Sequence, residues 1–219
     1  AHIVAHEPSK GVTSLNIVSI NAKHCFVMAK NRNGLGANMD VFSHWLWGMA
    51  LTRGKVSWKV SGPMGVLPDL VAFVPASILG IIQGFKRVEI NNETKTSDMH
   101  PIAWDIYQWS HSLTIALLIF LTAWFILHRR GHESPKKLAW FFTVPWFAHI
   151  LLDIPGHTLR FFPTPFLHPF SDLMFDGVRW SVWWFFWPQV LSLGIYWWYI
   201  LKKEKNQSIE DTAETAALA

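Results

Sequence analysis

Three runs of this chain, 112–127, 138–154 and 180–201, hold almost no charge and read as nearly continuous apolar and aromatic sequence. A helix that is apolar on every side must be covered by lipid or by the interior of a large protein. A chain of 219 residues, 51% hydrophobic, 16% charged and carrying 14 tryptophans, has little polar sequence with which to cover them itself. About 20 apolar residues cross the hydrocarbon of a bilayer, and tilt or flanking aromatics make up a small shortfall. Two weaker tracts precede these runs. Residues 41–52 are too few to cross alone, and 66–85 carry Pro68 and Asp69 near the start and Pro75 and Gly80 inside. The expected fold is all-α: a polytopic membrane helix bundle with three long spanning helices and two short or re-entrant helices.

The polar residues agree with a membrane setting. Trp104, Trp109, Trp140, Trp146, Trp180, Trp183, Trp184, Trp197 and Trp198 lie near the ends of apolar runs, where an amphipathic ring suits the water–lipid boundary. The net charge of +4 sits mainly at those ends as well, so it calls for anionic headgroups and no nucleic acid partner. Arg129, Arg130, Lys136 and Lys137, with Lys202, Lys203 and Lys205, mark one side as cytoplasmic, which leaves 156–179 facing outward. The single cysteine, Cys25, excludes an intrachain disulfide and a cysteine-rich zinc site. Residues 1–38 lack a sustained period and are expected to be an unstructured leader or upstream extension, with the working protein starting near Met39. A membrane-embedded domain then covers 39–205 and a flexible tail 206–219. Nothing in the sequence sets an oligomeric state.

One stretch breaks the apolar pattern. "HILLDIPGH", from His149 to His157, puts an imidazole and a carboxylate one helical turn apart inside an apolar run. On a helix His149 and Asp153 project from one face, the spacing that lets two side chains grip one ion or hydrogen-bond each other. Pro155 and Gly156 end the helix, and His157 lies just beyond. The orientation above brings His111, at the start of one long helix, to the same end as His149 and Asp153 on the next. His44 in "SHWLWGMAL" and Asp69 in "LPDL" join them as candidates. Each has a plain alternative: a membrane histidine can be a hydrogen-bonded core residue, and Asp69 after Pro68 can cap a helix start. Ionisable groups at membrane depth are nevertheless expensive and tend to be functional.

Taken in order, "SHWLWGMAL", "LPDL", "WSHS", "HILLDIPGH" and "TPFLHPFSD" resemble the family of bacterial inner-membrane metal-dependent hydrolases over about residues 39–185. That family is similar, more remotely, to the all-helical zinc phospholipase C and single-strand nuclease superfamily. Carried over position by position, the resemblance implies metal ligation by His44, Asp69, His111, His149 and Asp153, with the "TPFLHPF" loop closing over the site. Asp105, His157, His168 and Asp172 are the candidates for orienting ligands or moving protons, each with a structural reading beside it.

Imidazole and carboxylate without thiolate suit Zn²⁺, with Mn²⁺ or Fe²⁺ as alternatives. The implied activity is metal-dependent hydrolysis of an ester or phosphoester. A site at the membrane surface, with Arg160 available for an anionic headgroup and Phe161, Phe162, Phe166 and Phe170 as an apolar rim, points to membrane lipid or a lipid-linked phosphoester as substrate. Two other classes compete. His111 and His149 could be axial ligands of a b-type haem in an electron-transfer protein, or the histidines and carboxylates could only link helices in a structural or accessory membrane protein.

Overall fold

The structure is a computed structural model that describes residues 41–86, 88–91 and 93–217. The expectations for 1–38, including Cys25 and a start near Met39, lie outside these residues. Among the described residues the chain is all-helical and contains no strand. Helical residues 41–51 form α1, followed by α2 (Trp58–Ile82), α3 (Pro101–Ser110), α4 (Leu113–Arg129), α5 (Pro135–Gly156) and α6 (Trp183–Ala217). α5 is sandwiched between α2 and α4, and α3 lies along α2.

Two helices, α2 and α5, are long and apolar enough to cross a membrane, and α3 with α4 makes a third if that pair, bent by 56°, is one span. This corrects the expected set of three long spans. The tract 66–85, read as short or re-entrant, belongs to a 25-residue helix that starts at Trp58 and contains Pro63, Pro68 and Pro75. Proline withdraws an N–H from a helix, but a packed membrane helix tolerates the loss where neighbours satisfy the freed backbone. The helix therefore begins well before Asp69, which falls near its middle rather than at a capped start. Conversely, α6 takes up residues 183–201 of the expected span 180–201 but is not apolar enough to count as one: its tryptophans and tyrosines, with Gln189 and Ser192, favour an interface over hydrocarbon. Its helix also runs on through 206–217, within the expected tail, with 206–216 exposed and rich in good helix formers.

α1 meets α2 at glycine. A Cβ on Gly65 would stand 2.4 Å from the His44 carbonyl oxygen, and one on Gly48 would stand 2.5 Å from that of Ser61. Small residues let two helix backbones touch, the usual way that apolar helices pack in lipid. Here the contact delivers His44 to the level of Gly65. α1 and the turn after it are tied to α6 by Trp47 stacking on Tyr196 and by a bidentate Arg53–Glu204 pair at 2.9 and 3.1 Å. Ala72, Ala76 and Ala103 leave room between α2 and α3 for Tyr107 and Phe162. Ala116, Trp146 and Ile150 fill the α4–α5 side.

The break between α3 and α4 is the feature that positions the site. A helix interrupted at membrane depth must have its loose backbone groups satisfied by protein. The Ser110 carbonyl accepts the Trp146 indole N–H at 2.9 Å, and the Leu113 N–H donates to the Phe166 carbonyl at 2.9 Å. The Thr114 and Ile115 N–H groups donate to the Ser112 hydroxyl oxygen, which caps α4. His111 sits in the break itself, as the C-cap of α3. At the end of α5, the segment 177–180 returns to accompany the helix terminus, with Gly177 N–H donating to the His157 carbonyl and Val178 N–H to that of Pro155. Gly177 is required there, because a Cβ would stand 2.4 Å from the Pro155 oxygen.

Candidate metal centre

α2, the α3–α4 break and the last turns of α5 converge on four side chains. One ligand-type atom each from Asp69, His111, His149 and Asp153 lies within 4.8 Å of the others. The separations are 3.0 Å between the two histidine Nε2 atoms, 3.3 Å from His111 to each carboxylate, and 3.1 and 3.7 Å from His149 to Asp153 and Asp69. The side chains of His111, His149 and Asp153 are 0, 0 and 4% exposed, and that of Asp69 is 16% exposed. Asp69 thus marks the open side.

The hydrogen bonds around the cluster fix what its inward atoms can do. His149 Nδ1 lies 2.7 Å from the Gly65 carbonyl, which can only accept, so Nδ1 carries the proton and Nε2 a lone pair. His111 Nδ1 lies 2.9 Å from the Ser110 hydroxyl, whose own proton goes to the Tyr107 carbonyl. That leaves the hydroxyl oxygen to accept from Nδ1, and His111 Nε2 also presents a lone pair. When both rings are neutral, two nitrogen lone pairs and two carboxylate oxygens therefore face one another. A proton on one ring nitrogen would relieve only its own contacts. A divalent cation relieves all of them and matches the two buried negative charges, for which, among the described residues, the ion-pair partners are histidines alone. The spacing fits as well: a tetrahedral ion with bonds of about 2.0–2.1 Å sets its ligand atoms roughly 3.3–3.4 Å apart.

Asp153 is shared between two tasks. Its Oδ2 faces His111 and His149, while its Oδ1 lies 3.0 Å from His44 Nε2 and 3.8 Å from His157 Nε2. The His44 ring also packs on that of His149, with centroids 3.9 Å apart, and Tyr107 stacks on His111 at 3.6 Å. These contacts hold the inner rings in one orientation. Just past the end of α5, burial pushes the His157 imidazole below its ordinary value, which keeps it neutral.

Of the five expected ligands, four form the cluster and His44 stands against the outer oxygen of Asp153. Among the proton-moving candidates, His157 adjoins the cluster. Asp105 and Asp172 are exposed, with no described contact to it, and His168 packs edge-on against Trp109. The "TPFLHPF" segment lies across the α3–α4 break, where the Ser112 hydroxyl donates to the His168 carbonyl at 2.5 Å. The expected aromatic rim is only partly a rim. Phe170 is exposed, but Phe162 is buried beneath Tyr107, whose hydroxyl donates to its carbonyl, because the loop turns inward there. Arg160 pairs with Glu93 at 2.7 Å. Ser110 and Gly65, which set the two tautomers, escaped the sequence reading; a hydroxyl directly before the histidine in "WSHS" was the available signal.

No family model, curated protein or solved structure matches this chain.

Proposed function

We propose that the chain is a membrane-embedded, metal-dependent hydrolase that cleaves a phosphoester or ester of a lipid or lipid-linked substrate, as the resemblance to the inner-membrane hydrolase family implies. The observation that carries the metal is the convergence of two histidine Nε2 atoms and two carboxylates within 4.8 Å of one another, with the outer nitrogen of each ring held by a protein oxygen. Zn²⁺ suits this nitrogen and oxygen set, with Mn²⁺ or Fe²⁺ as alternatives. His111, His149 and Asp153 form the tight, buried triangle that would hold the ion. A divalent ion there would supply a Lewis acid for a phosphoryl or carbonyl oxygen and would lower the pKa of a water to about 7.

The remaining steps belong to the protein. Asp69, partly exposed and 3.3 Å from His111, stands where substrate arrives, and its Oδ1 is placed to take a proton from water. His44 holds Asp153 in register through Oδ1. The tryptophans, the apolar helices and the basic helix ends support residence in a bacterial inner membrane, with the cluster toward the outer face. A haem between His111 and His149 is disfavoured, since nitrogens 3.0 Å apart leave no room for a porphyrin.

A second reading has a specific observation behind it: four protein ligands also make a closed, structural metal site. The two separate with Asp69→Asn, assayed in detergent for bound metal and for phosphate released from phosphatidate and lipid diphosphates. Hydrolysis requires that wild type turn over one of these esters, that chelator abolish this, and that Asp69→Asn lose turnover while retaining metal. Stoichiometric metal without turnover on any ester would establish the structural reading.

A further inference from the structure

Away from the metal cluster, the start of α2 carries donors that the protein leaves unmet. A pocket of about 220 Å³ opens between the end of α1 and the first turn of α2, with Met49, Arg53, Ser57, Trp58 and Ser61 among its walls. At about 30 Å³ for each liquid water, that is room for a tetrahedral ion. Ser61 is 1% exposed, and its hydroxyl has no hydrogen-bond partner among the described residues. The usual outlet of a helical serine, the carbonyl four residues back, is already taken: that of Ser57 accepts the Val60 and Ser61 N–H groups at 2.9 and 3.0 Å. The Ser57 hydroxyl accepts the Lys59 N–H at 3.4 Å, which leaves its own proton to donate. The Trp58 N–H, the first of the helix, meets no acceptor among the described residues. Cations lie close by in the sequence. Residues 53–59 hold Arg53, Lys55 and Lys59 and no acid; Glu204 engages Arg53, and among the described residues the two lysines make no ion pair.

The pocket lies at the basic end of the bundle. The Gly65 carbonyl meets His149, and one turn earlier a Cβ on Gly48 would touch both Ser61 and Pro145, so α2 and α5 run parallel. The start of α2 therefore faces the same side as the start of α5, where Arg129, Arg130, Lys136 and Lys137 sit. α2 is long and apolar enough to cross a membrane, and it begins at Trp58, whose exposed ring has the Lys59 ammonium 6.0 Å from its centroid. A tryptophan beside a lysine at the end of such a helix marks the depth of the lipid headgroups. Hydroxyl donors, a helix N-terminus and lysines around one space are what recognise a phosphate, and at that depth the phosphates belong to lipid. We propose that this pocket seats the phosphate of an anionic phospholipid from the leaflet on the basic side, which anchors the α1–α2 hairpin at headgroup depth. This lipid is held and not cleaved. The pocket lies at the far end of α1 from His44 and shares no residue with the metal cluster, so it stands independently of the hydrolase reading.

The test uses the full chain in neutral detergent, with phosphatidylglycerol doped into the micelles as the probe and bound lipid per chain counted by native mass spectrometry. Phosphatidylcholine, which has the phosphate but no net charge, and inorganic phosphate are the comparison arms. Wild type should bind phosphatidylglycerol at least about tenfold more tightly than phosphatidylcholine, as two lysines near a charged headgroup supply. Ser61→Ala removes one hydroxyl, and Lys55→Gln combined with Lys59→Gln removes the two cations; each change should weaken phosphatidylglycerol binding about tenfold or more, with metal content unchanged. Arg129→Gln combined with Arg130→Gln takes equal charge from the same end and should leave binding as it is. The lysine variant lies at the surface and keeps the test decisive should Ser61→Ala fail to fold. The proposal is overturned if wild type shows no preference for phosphatidylglycerol, or if binding is unchanged in the lysine variant or in folded Ser61→Ala. Equal loss in the Arg129 and Arg130 variant overturns it as well, because attraction is then diffuse over the basic end. Inorganic phosphate that binds in a Ser61-dependent way where phosphatidylglycerol does not would replace the lipid with the free ion.

Discussion

Replacing Gly65 with alanine adds one methyl group at the place where α1 and α2 touch, and the structure fixes what that methyl meets. The new Cβ would lie 2.4 Å from the His44 carbonyl oxygen, 3.2 Å from its carbon and 3.4 Å from Gly48 Cα, all of them backbone atoms that cannot rotate aside. The helices must part by at least about 0.6 Å to bring the closest contact to 3.0 Å, an overpacking strain worth roughly 1–3 kcal/mol. For a chain of this size that is a fall in Tm of roughly 2–10 °C. The site should respond too, because parting the helices draws the Gly65 carbonyl from His149 Nδ1, now at 2.7 Å, and His44 from Asp153, now at 3.0 Å. The assay is a thermal melt in detergent with and without saturating zinc, alongside a zinc-affinity titration. Gly194→Ala in α6 is the control: nothing lies within 4 Å of its added Cβ, and alanine favours a helix over glycine by about 0.5–1 kcal/mol. Gly65→Ala should lose stability and zinc affinity while Gly194→Ala loses neither. Equal behaviour of the two variants would refute the close α1–α2 contact and the positioning of His44 that depends on it.

Two further substitutions probe the surroundings of the cluster. Ser110→Ala removes the acceptor that holds the His111 proton on Nδ1, so zinc affinity should drop about 10–100-fold with little change in helix content, as read by competition with a chelating dye and by circular dichroism. Gly177→Ala forces the returning loop off the Pro155 carbonyl, and limited proteolysis between α5 and α6 should speed up while the helices stay protected.

The α4–α5 hairpin and the meeting of His111 with His149 and Asp153 were legible in the sequence. Long apolar runs, a short basic turn and i,i+4 spacing are local signals, and an antiparallel pair brings the right ends together. α2 was misjudged because Pro68 read as a helix start and Pro75 and Gly80 as interruptions; whether a proline interrupts a helix depends on neighbours that a single segment does not reveal. The opposite error at α6 arose from reading 180–201 as a span for its lack of charge, although its tryptophans, already suited to the water–lipid boundary, make it less apolar than a spanning helix. Placement of His44 depended on a backbone contact between Gly48 and Gly65, a tertiary fact carried by two glycines seventeen positions apart. Likewise, Phe162 joins the core through its packing with Tyr107 and the small residues Ala72, Ala76 and Ala103. Local pattern gave the residues with costly chemistry; the geometry that joins them came from packing.

The most direct test of the metal cluster is metal per chain, by elemental analysis of detergent-purified protein, for wild type, His149→Ala, Asp153→Ala and His128→Ala. His128 is exposed at the far end of α4 and serves as the internal control. Wild type and His128→Ala should each carry about one divalent ion per chain, as expected for one four-residue cluster, and the other two variants should be largely depleted while remaining folded and helical. Retention of the metal in both His149→Ala and Asp153→Ala, or its loss in His128→Ala alone, would contradict a metal site at Asp69, His111, His149 and Asp153.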